Sequence, residues 1–235
     1  FRSEPIAPEV LQDMLEAASR ASTCGNMQLY SLIVTQSREL REALAPCHFN
    51  QPMVTQAPCV ITVCADVHRF SMWCEQRDAE PCYDNFAWFL NGVTDALLAA
   101  QNLCVEAEAH GLGICYLGTT IYTAEEIARI LDLPKGVIPV TTIVVGHPDE
   151  SPELTDRLPL DAVVHCEKYH HYTSSEIDEL WAEKETSEET RRLLEENGLP
   201  NLAQIFTRNR YRAEDNLAIS RNYFALLKKQ GFFNN

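Results

Sequence analysis

The segment from Asp84 to His110 constrains the fold of this 235-residue chain more than any other part of its sequence. Its apolar residues recur at spacings of three and four, which is the period of an α-helix, and Gly111 follows as a terminator. A helix of about 27 residues is about 40 Å long. Because most of its sides are apolar, we predict a core helix, or one shared between two subunits. The residues that carry the pattern are Phe86, Phe89, Leu90, Val93, Leu97, Ala100, Leu103 and Cys104.

Helices and strands alternate in the rest of the chain up to Pro148. The strand predicted over 59–64 is apolar and β-branched at nearly every position, which predicts burial on both of its faces. Thr123–Glu126 has the pattern of a capping box and predicts a helix that ends near Leu131. The alternation indicates an α/β or α+β protein. The periodicity also predicts helices over 8–22 and 38–45 and strands over 29–35, 114–117 and 137–145.

The composition changes after Pro148. Residues 149–163 are acidic and have the character of a loop, and residues 174–230 have the pattern of two or three helices. This tail carries too few core residues to predict a separate domain. We therefore predict a single domain over 1–235, in which 149–235 form a C-terminal extension wrapped on the core.

The charge balance restricts the partners of the protein. The chain carries 34 acidic and 19 basic residues, a net charge of −15, and no basic stripe offsets it. Such a surface repels phosphates, so nucleic acid and anionic membranes are poor partners. The sequence also lacks an uncharged apolar run of about 18 residues, which predicts no transmembrane helix. The expected ligands are small molecules.

The nine cysteines do not have the spacing of a disulfide framework or a zinc ribbon. Their number is odd, they are scattered, and no Cys-x-x-Cys pair occurs. Several, such as Cys59 and Cys64, lie in apolar runs and are predicted to be small buried hydrophobic residues. This usage favours a reducing cytoplasm.

Individual motifs in the sequence each leave two interpretations open. Gly25–Gln28 contains residues that tolerate positive φ, so it is either a turn between a helix and a strand or part of a site. Gly111, Gly113 and Gly118 lack the spacing of a dinucleotide-binding fingerprint. Four residues have side chains suited to zinc or copper but could equally lie in a solvated loop: His165, Cys166, His170 and His171.

Arginines stand out in this acidic chain. A guanidinium can bind phosphate or carboxylate with two hydrogen bonds, although surface solvation explains most arginines equally well. The candidates include Arg157 and Arg221. No Gly-x-Ser-x-Gly elbow or convincing Ser/His/Asp set is present.

The order of these segments resembles the nitroreductase superfamily, in particular its NADPH-dependent nitroreductase and flavin reductase branch with a C-terminal extension. The similarity covers essentially the whole chain, and its strength lies in the ordered set rather than in one motif. The segments that carry it are 1–6, 18–28, 100–113, 116–119, 144–148, 156–159 and 229–232.

This resemblance implies a fold, a cofactor and a reaction. The fold is α+β, with a nitroreductase-like mixed β-sheet surrounded by helices, a long central dimer helix and a helical C-terminal extension. The implied protein is a homodimer with one FMN in each of two interfacial sites. Hydride would pass from NAD(P)H, with NADPH preferred, through flavin N5 to nitroaromatic, quinone or flavin acceptors by a ping-pong mechanism. The flavin carries the chemistry, so no catalytic side chain is required.

The resemblance also assigns binding residues. Gln51 would face the polar edge of the isoalloxazine ring, Arg157 would neutralise phosphate, and Arg221 would bind the phosphate of the pyridine nucleotide. Position 155, where the branch tends to carry lysine, is Thr155. The first phosphate-binding motif of the family would precede Phe1, which predicts that the sequence continues upstream. The residues that would line the flavin are Thr23, Cys24, Gly25, Asn26 and Gln28, and those that would cover one face of its ring are Leu117, Gly118 and Thr119.

Two other kinds of protein remain as alternatives. A non-catalytic flavin-binding protein would bind FMN without reduction by NAD(P)H. A metal-binding module centred on the four His and Cys residues at 165–171 would bind metal and no flavin. For Cys24, we favour packing as a small side chain over a redox role.

Overall fold

The structure, a computed structural model, describes residues 1–234 and contains one four-stranded sheet. The strands lie in the order β1-β2-β4-β3, and all three neighbouring pairs are antiparallel. The predicted α+β class is confirmed, with one correction: the sheet predicted to be mixed has no parallel pair within residues 1–234, because each strand runs opposite to its neighbours. The strands are β1 (Tyr30–Thr35), β2 (Cys59–Asp66), β3 (Gly113–Leu117) and β4 (Val137–Gly146).

The two inner strands form the centre of the core. Every residue of β2 is buried, which confirms the burial on both faces predicted from its β-branched run. β4 lies beside β2 and is buried at every position except Val140. All nine cysteines are unpaired, as their spacing predicts. Burial raises the pKa of the Cys59 thiol to about 12, so it behaves as a small apolar side chain.

Six helices of the described residues surround the sheet along the first part of the chain. Four of them agree with the predicted helices to within a few residues, and the other two, the short helices α3 and α4, were not predicted from the periodicity. They are α1 (Pro8–Ser19), α2 (Arg38–Leu44), α3 (Met53–Gln56), α4 (His68–Glu75), α5 (Phe86–Ala109) and α6 (Ala124–Ile130).

The predicted capping box at the start of α6 is wrong. Thr123 is the residue before the helix, but its side chain makes no capping hydrogen bond. Its hydroxyl instead donates to the carbonyl oxygen of Cys47, 2.7 Å away. This long-range contact, which ties α6 to the turn at 45–48, takes the place of the local cap.

α5 is the central helix predicted from the apolar segment, and its 24 residues span about 36 Å. One face of α5 is buried in its own chain, with small residues that allow close packing. Gly92 illustrates this contact, because a Cβ there would lie 3.1 Å from Cβ of Ala65 and 3.2 Å from the carbonyl oxygen of Leu29. The opposite face carries exposed apolar side chains, which are Leu90, Leu97, Leu98 and Val105.

The chain forms two compact units, Phe1–Ser151 with Ile219–Asn235, and Pro152–Ala218, where Asn235 itself lies outside the described residues. The second unit contains α7 (Ser174–Thr186), α8 (Glu188–Asn197) and α9 (Leu202–Ile205), and α10 (Ala213–Lys229) begins in it. Helices were thus correctly expected in this region, although there are four rather than two or three. The single domain over 1–235 stays a prediction. None of the helices described by the structure is long and apolar enough to cross a membrane.

Candidate functional site

The loop between α1 and β1 is organised around one buried carboxylate. Asp95, on α5, is 2 % exposed. Its Oδ2 accepts hydrogen bonds from Oγ1 of Thr23 at 2.5 Å and from the backbone N–H of Leu29 at 3.1 Å. Its Oδ1 accepts from the backbone N–H of Cys24 at 2.9 Å. Hydrogen bonds to a buried charged group are among the stronger ones in proteins, so Asp95 fixes both ends of this loop.

The backbone of the same loop is strained. Gly25, Asn26 and Gln28 all have positive φ, at 55°, 56° and 49°. Residues other than glycine rarely adopt this conformation and keep it only where the surroundings enforce it. The N–H of Gln28 donates to Oγ1 of Thr23 at 2.8 Å, which closes the loop internally. The segment is a turn, which was one of the two interpretations of its sequence. Its hydrogen bonds fix it more firmly than a simple connection between a helix and a strand requires.

A second strained turn presents Gln51. The chain makes a short turn at Ala45–His48, and both Phe49 and Asn50 then have a φ of 54°. The half-buried Gln51 follows, and its N–H donates to the carbonyl oxygen of His48 at 3.1 Å.

A third turn begins where β3 ends. Leu117 is 2 % exposed and Thr119 is 9 % exposed, whereas Gly118 between them is open to solvent. A Cβ built on Gly118 would have no heavy atom within 4 Å. The turn is held from behind by Thr120, whose hydroxyl bonds to the carbonyl oxygen of Leu117 at 2.8 Å and to Oγ1 of Thr142 at 3.0 Å. A flat molecule could therefore approach the backbone at Gly118 closely.

His48 connects the second and third turns. Its side chain is fully buried, and its Nδ1 lies 2.8 Å from Oγ1 of Thr119. Burial lowers the pKa of His48 to about 4, so the ring is neutral at pH 7. The structure thus brings together the segments of Gln51 and Gly118–Thr119.

The loop at Thr23–Gln28 does not join them through hydrogen bonds in the described part of this chain. Thr23 and Cys24 donate to Asp95, and the carbonyl oxygen of Gln28 accepts a hydrogen bond from Arg69 on α4. The placement of all the predicted binding residues around one flavin stays a prediction.

The two predicted phosphate-binding arginines are exposed. Arg157 belongs to the second unit, where its Nη1 donates to Oγ1 of Thr155 at 2.6 Å and to the carbonyl oxygen of Asp156 at 2.8 Å. Arg221 lies on α10, in its part that belongs to the first unit. Their roles stay predictions.

The alternative metal site finds no support. Nδ1 of His165 accepts from the backbone N–H of His170 at 3.2 Å, and Nε2 of His170 lies 3.0 Å from a carboxylate oxygen of Glu176. Each of these ring nitrogens thus has a partner in the protein, the backbone of His170 for the one and the start of α7 for the other. In residues 1–234 no group of three or more His, Cys, Asp or Glu side chains is arranged to hold a metal ion.

Comparison with known families decides the identity of the fold. The family model described as Nitroreductase family matches residues 1–73 and 47–147 of the chain. The chain belongs to the nitroreductase family.

Relatives and solved structures agree with this membership. An NADPH-dependent oxidoreductase of Staphylococcus aureus (strain USA300) is 34% identical over 174 residues, which cover 72% of this chain and 69% of that relative. A protein of Bacteroides fragilis NCTC 9343 assigned as an oxidoreductase is 48% identical, with a TM-score of 0.98 over 100% of this chain and 95% of that chain. The NADPH:FMN oxidoreductase of Vibrio harveyi, solved with NAD⁺, is 25% identical, with a TM-score of 0.82 over 100% of this chain and 94% of that chain.

The predicted family and enzyme class are therefore confirmed: the chain is an NAD(P)H-dependent oxidoreductase of the nitroreductase family. The alternative of a non-catalytic flavin-binding protein loses its support with this result.

Sequence reasoning missed two residues that hold the turns of this candidate site, Asp95 and His48. A signal for Asp95 was present, because it is the sole charged residue among the first twenty of α5. A lone carboxylate in an apolar helix needs buried partners. His48 gave no comparable signal, since its partner lies 71 residues away in the chain.

Proposed function

We propose that this nitroreductase uses FMN, takes hydride from NADPH in preference to NADH, and reduces nitroaromatic, quinone or flavin acceptors in a ping-pong cycle. The observation that carries the proposal is the open backbone at Gly118, beside Thr119 and joined through His48 to the segment of Gln51. A bound flavin would supply the hydride transfer. The name of the Vibrio harveyi structure, an NADPH:FMN oxidoreductase, supports the choice of cofactor.

The residues of this chain fit an isoalloxazine ring chemically. Gly118 leaves room for a flat ring and exposes backbone N–H and C=O groups. The amide of Gln51 offers both a donor and an acceptor, which matches the alternating groups on the polar edge of the ring. Leu117 and Thr119 are fixed by burial on either side of Gly118, so the site is organised before a ligand binds.

The remaining predicted residues take roles around this centre. The loop of Thr23, Cys24, Gly25, Asn26 and Gln28 lines the flavin, partly across a dimer interface. Arg157 neutralises the flavin phosphate, and Arg221 binds the phosphate of NADPH. Their charges are what a chain with a net charge of −15 needs in order to hold anionic ligands.

We also propose that the protein is a homodimer whose interface includes α5. The exposed side chains of Leu90, Leu97, Leu98 and Val105 are between 42% and 56% exposed. They lie at helical spacing on one face of α5, opposite the face that packs on the sheet. Covering such a row with a second copy removes apolar surface from water.

We propose a cytoplasmic location for the protein. The unpaired state of all nine cysteines supports it.

The absorbance spectrum of the full-length protein tests the central proposal. We expect flavin bands in the protein supplied with FMN, and we expect them to bleach when NADPH is added without oxygen. Reoxidation by a nitroaromatic or a quinone in a separate mixing step then demonstrates the ping-pong cycle. A protein that binds no FMN contradicts the proposal, and a bound flavin that NADPH leaves oxidised contradicts the proposed donor.

Substitution of Gly118 by Ala tests the position of the ring. Because a Cβ at this position meets no heavy atom within 4 Å, we expect the free energy of unfolding of the apoprotein to change by no more than about 0.5 kcal/mol. We expect the FMN dissociation constant to rise about tenfold or more, since the added methyl group occupies the space of the ring. Fluorescence titration of the apoprotein with FMN measures this.

Gly146→Ala is the matched control for Gly118→Ala. A Cβ at Gly146 would lie 2.5 Å from Cδ of Pro58, so this variant should lose about 1–3 kcal/mol of stability through overpacking. We expect its FMN affinity to fall far less than that of Gly118→Ala. Equal FMN affinities in Gly118→Ala and the wild type would place the flavin elsewhere.

A further inference from the structure

The protonation of His48 follows from its surroundings. Nδ1 contacts Oγ1 of Thr119 at 2.8 Å, and Nε2 is buried without a hydrogen-bond partner among residues 1–234. A buried N–H without an acceptor is rarer in proteins than a buried acceptor without a donor. We therefore place the hydrogen on Nδ1, which donates it to the hydroxyl oxygen of Thr119 and leaves a lone pair on Nε2. This form persists at pH 7 because burial lowers the pKa of the ring to about 4.

The contact joins two pieces of backbone that have no regular pairing with each other. On one side, the carbonyl oxygen of His48 accepts a hydrogen bond from the N–H of Gln51. Phe49 and Asn50, which lie between these two residues, have positive φ. On the other side, Thr119 directly follows Gly118 in a turn that the hydroxyl of Thr120 fixes to β4. The imidazole is thus a side-chain bridge from the strained turn to the anchored one.

We propose that His48 is a positioning residue that holds Gln51 and the Gly118–Thr119 turn at the separation required for flavin binding. This inference rests on the proposed FMN site. His48 does not touch the ring: it acts through Thr119 and through its own carbonyl oxygen. Its buried position means that the separation is set before FMN arrives, which reduces the ordering that binding requires.

Two substitutions at His48 distinguish the effect of its hydrogen bond to Thr119 from the effect of filling the buried position. In His48→Asn, the side-chain amide can reach the place of Nδ1 and still donate to Thr119, whereas in His48→Gln the amide reaches the place of Nε2 and cannot. We expect the FMN dissociation constant of the His48→Gln apoprotein to rise about tenfold. For His48→Asn we expect a rise below about threefold. Fluorescence titration with FMN measures both.

A matched control distinguishes positioning from general loss of stability. Val54 is fully buried in the same apolar cluster as Leu117, and Val54→Ala lowers stability through a cavity without removing the bridge. The melting temperature of each apoprotein measures how much stability that variant has lost, so that FMN affinities can be compared between variants of equal stability. At equal loss of melting temperature, we expect His48→Gln to bind FMN more weakly than Val54→Ala.

Variants of Thr119 test the bridge from its other end, also in the event that His48→Gln does not fold. Thr119→Val removes the hydroxyl that the imidazole contacts and should weaken FMN binding at least as much as His48→Gln does, whereas Thr119→Ser keeps the hydroxyl and should weaken it less than Thr119→Val. In a double-mutant cycle, His48→Gln should have little further effect on FMN affinity in the Thr119→Val background.

The outcomes that overturn the proposal are distinct. If His48→Gln and Val54→Ala weaken FMN binding equally at equal loss of melting temperature, or if His48→Asn does not restore affinity, the bridge does not position the site. If the wild type itself binds no FMN, the proposed function and this inference fail together. A wild type that binds FMN with variants that all bind equally overturns the inference alone.

Discussion

We expect the Asp95→Asn variant to lose the anchor of the loop between α1 and β1 and, with it, most of its affinity for FMN. The carboxylate accepts three hydrogen bonds, from Thr23, Cys24 and Leu29, through both of its oxygens. An asparagine amide has nearly the same shape, but one of the two oxygens becomes an NH₂ group that faces a donor. We expect the free energy of unfolding to fall by about 3 kcal/mol, because hydrogen bonds to a charged group are lost and a buried N–H donor is left unpaired. Urea unfolding of the apoprotein measures this.

The effect on FMN should exceed the effect on stability alone. The positive φ angles at Asn26 and Gln28 are conformations that persist only while the surroundings enforce them. Once Asp95 no longer fixes the loop, we expect these residues to relax, and the FMN dissociation constant to rise about a hundredfold. The same fluorescence titration that serves the other variants gives the value.

Glu106→Gln provides the control for Asp95→Asn, because it makes the same chemical change on the same helix. Glu106 is partly exposed and pairs with His110 at 3.2 Å, and partly exposed pairs contribute at most about 1 kcal/mol. We expect the urea midpoint and FMN affinity of this variant to stay near those of the wild type. An Asp95→Asn variant with a wild-type urea midpoint would show that the carboxylate does not hold the loop.

Much of the fold could be predicted because the local periodicity of apolar residues indicates where helices and strands lie. The apolar segment at 84–110 predicted α5, and the β-branched run at 59–64 predicted a strand buried on both faces. The direction of the sheet could not be predicted in this way. Strand direction depends on which strands become neighbours, and periodicity within a strand carries no information on its partners. The expectation of a mixed sheet came from the family resemblance and needed correction.

The failed capping box at Thr123 shows the same limit on a smaller scale. The local pattern was correct, and the helix does begin one residue later. The hydroxyl of Thr123, which the pattern predicts to cap the helix, instead donates to a distant acceptor, the carbonyl oxygen of Cys47. Sequence spacing predicts what a side chain can do nearby, and tertiary contacts decide between that and a distant partner.

The same distinction between local patterns and long-range contacts applies to the candidate site. The residues on its three turns could be named from the resemblance because they form short, recognisable segments. The residues that hold those turns could not, because Asp95 is 72 positions from Thr23 and His48 is 71 positions from Thr119. Only the folded backbone brings such pairs together. Ligand-lining residues are thus more visible in a sequence than the residues that position them.

The proposed dimer leads to the second large effect, which we expect from Leu97→Glu. Leu97 lies in the middle of the exposed apolar row on α5 and is 43% exposed. In a twofold-symmetric dimer, one substitution changes the interface twice, and each buried, unpaired carboxylate destabilises the association by several kcal/mol. We expect the wild type to sediment as a dimer and Leu97→Glu as a monomer with little bound FMN, since the proposed site draws residues from both subunits.

Gln12→Glu adds the same charge at an exposed position of α1, outside the apolar row on α5. It should remain a dimer with a full complement of flavin, which separates the effect of position from that of net charge. Analytical ultracentrifugation, together with the ratio of flavin to protein absorbance, measures both properties in one sample. A wild-type monomer, or a Leu97→Glu dimer with full FMN, would contradict the α5 interface. A Leu97→Glu monomer that keeps its FMN would confine each flavin site to one chain, and the loop at Thr23–Gln28 would then have to reach the ring of its own subunit.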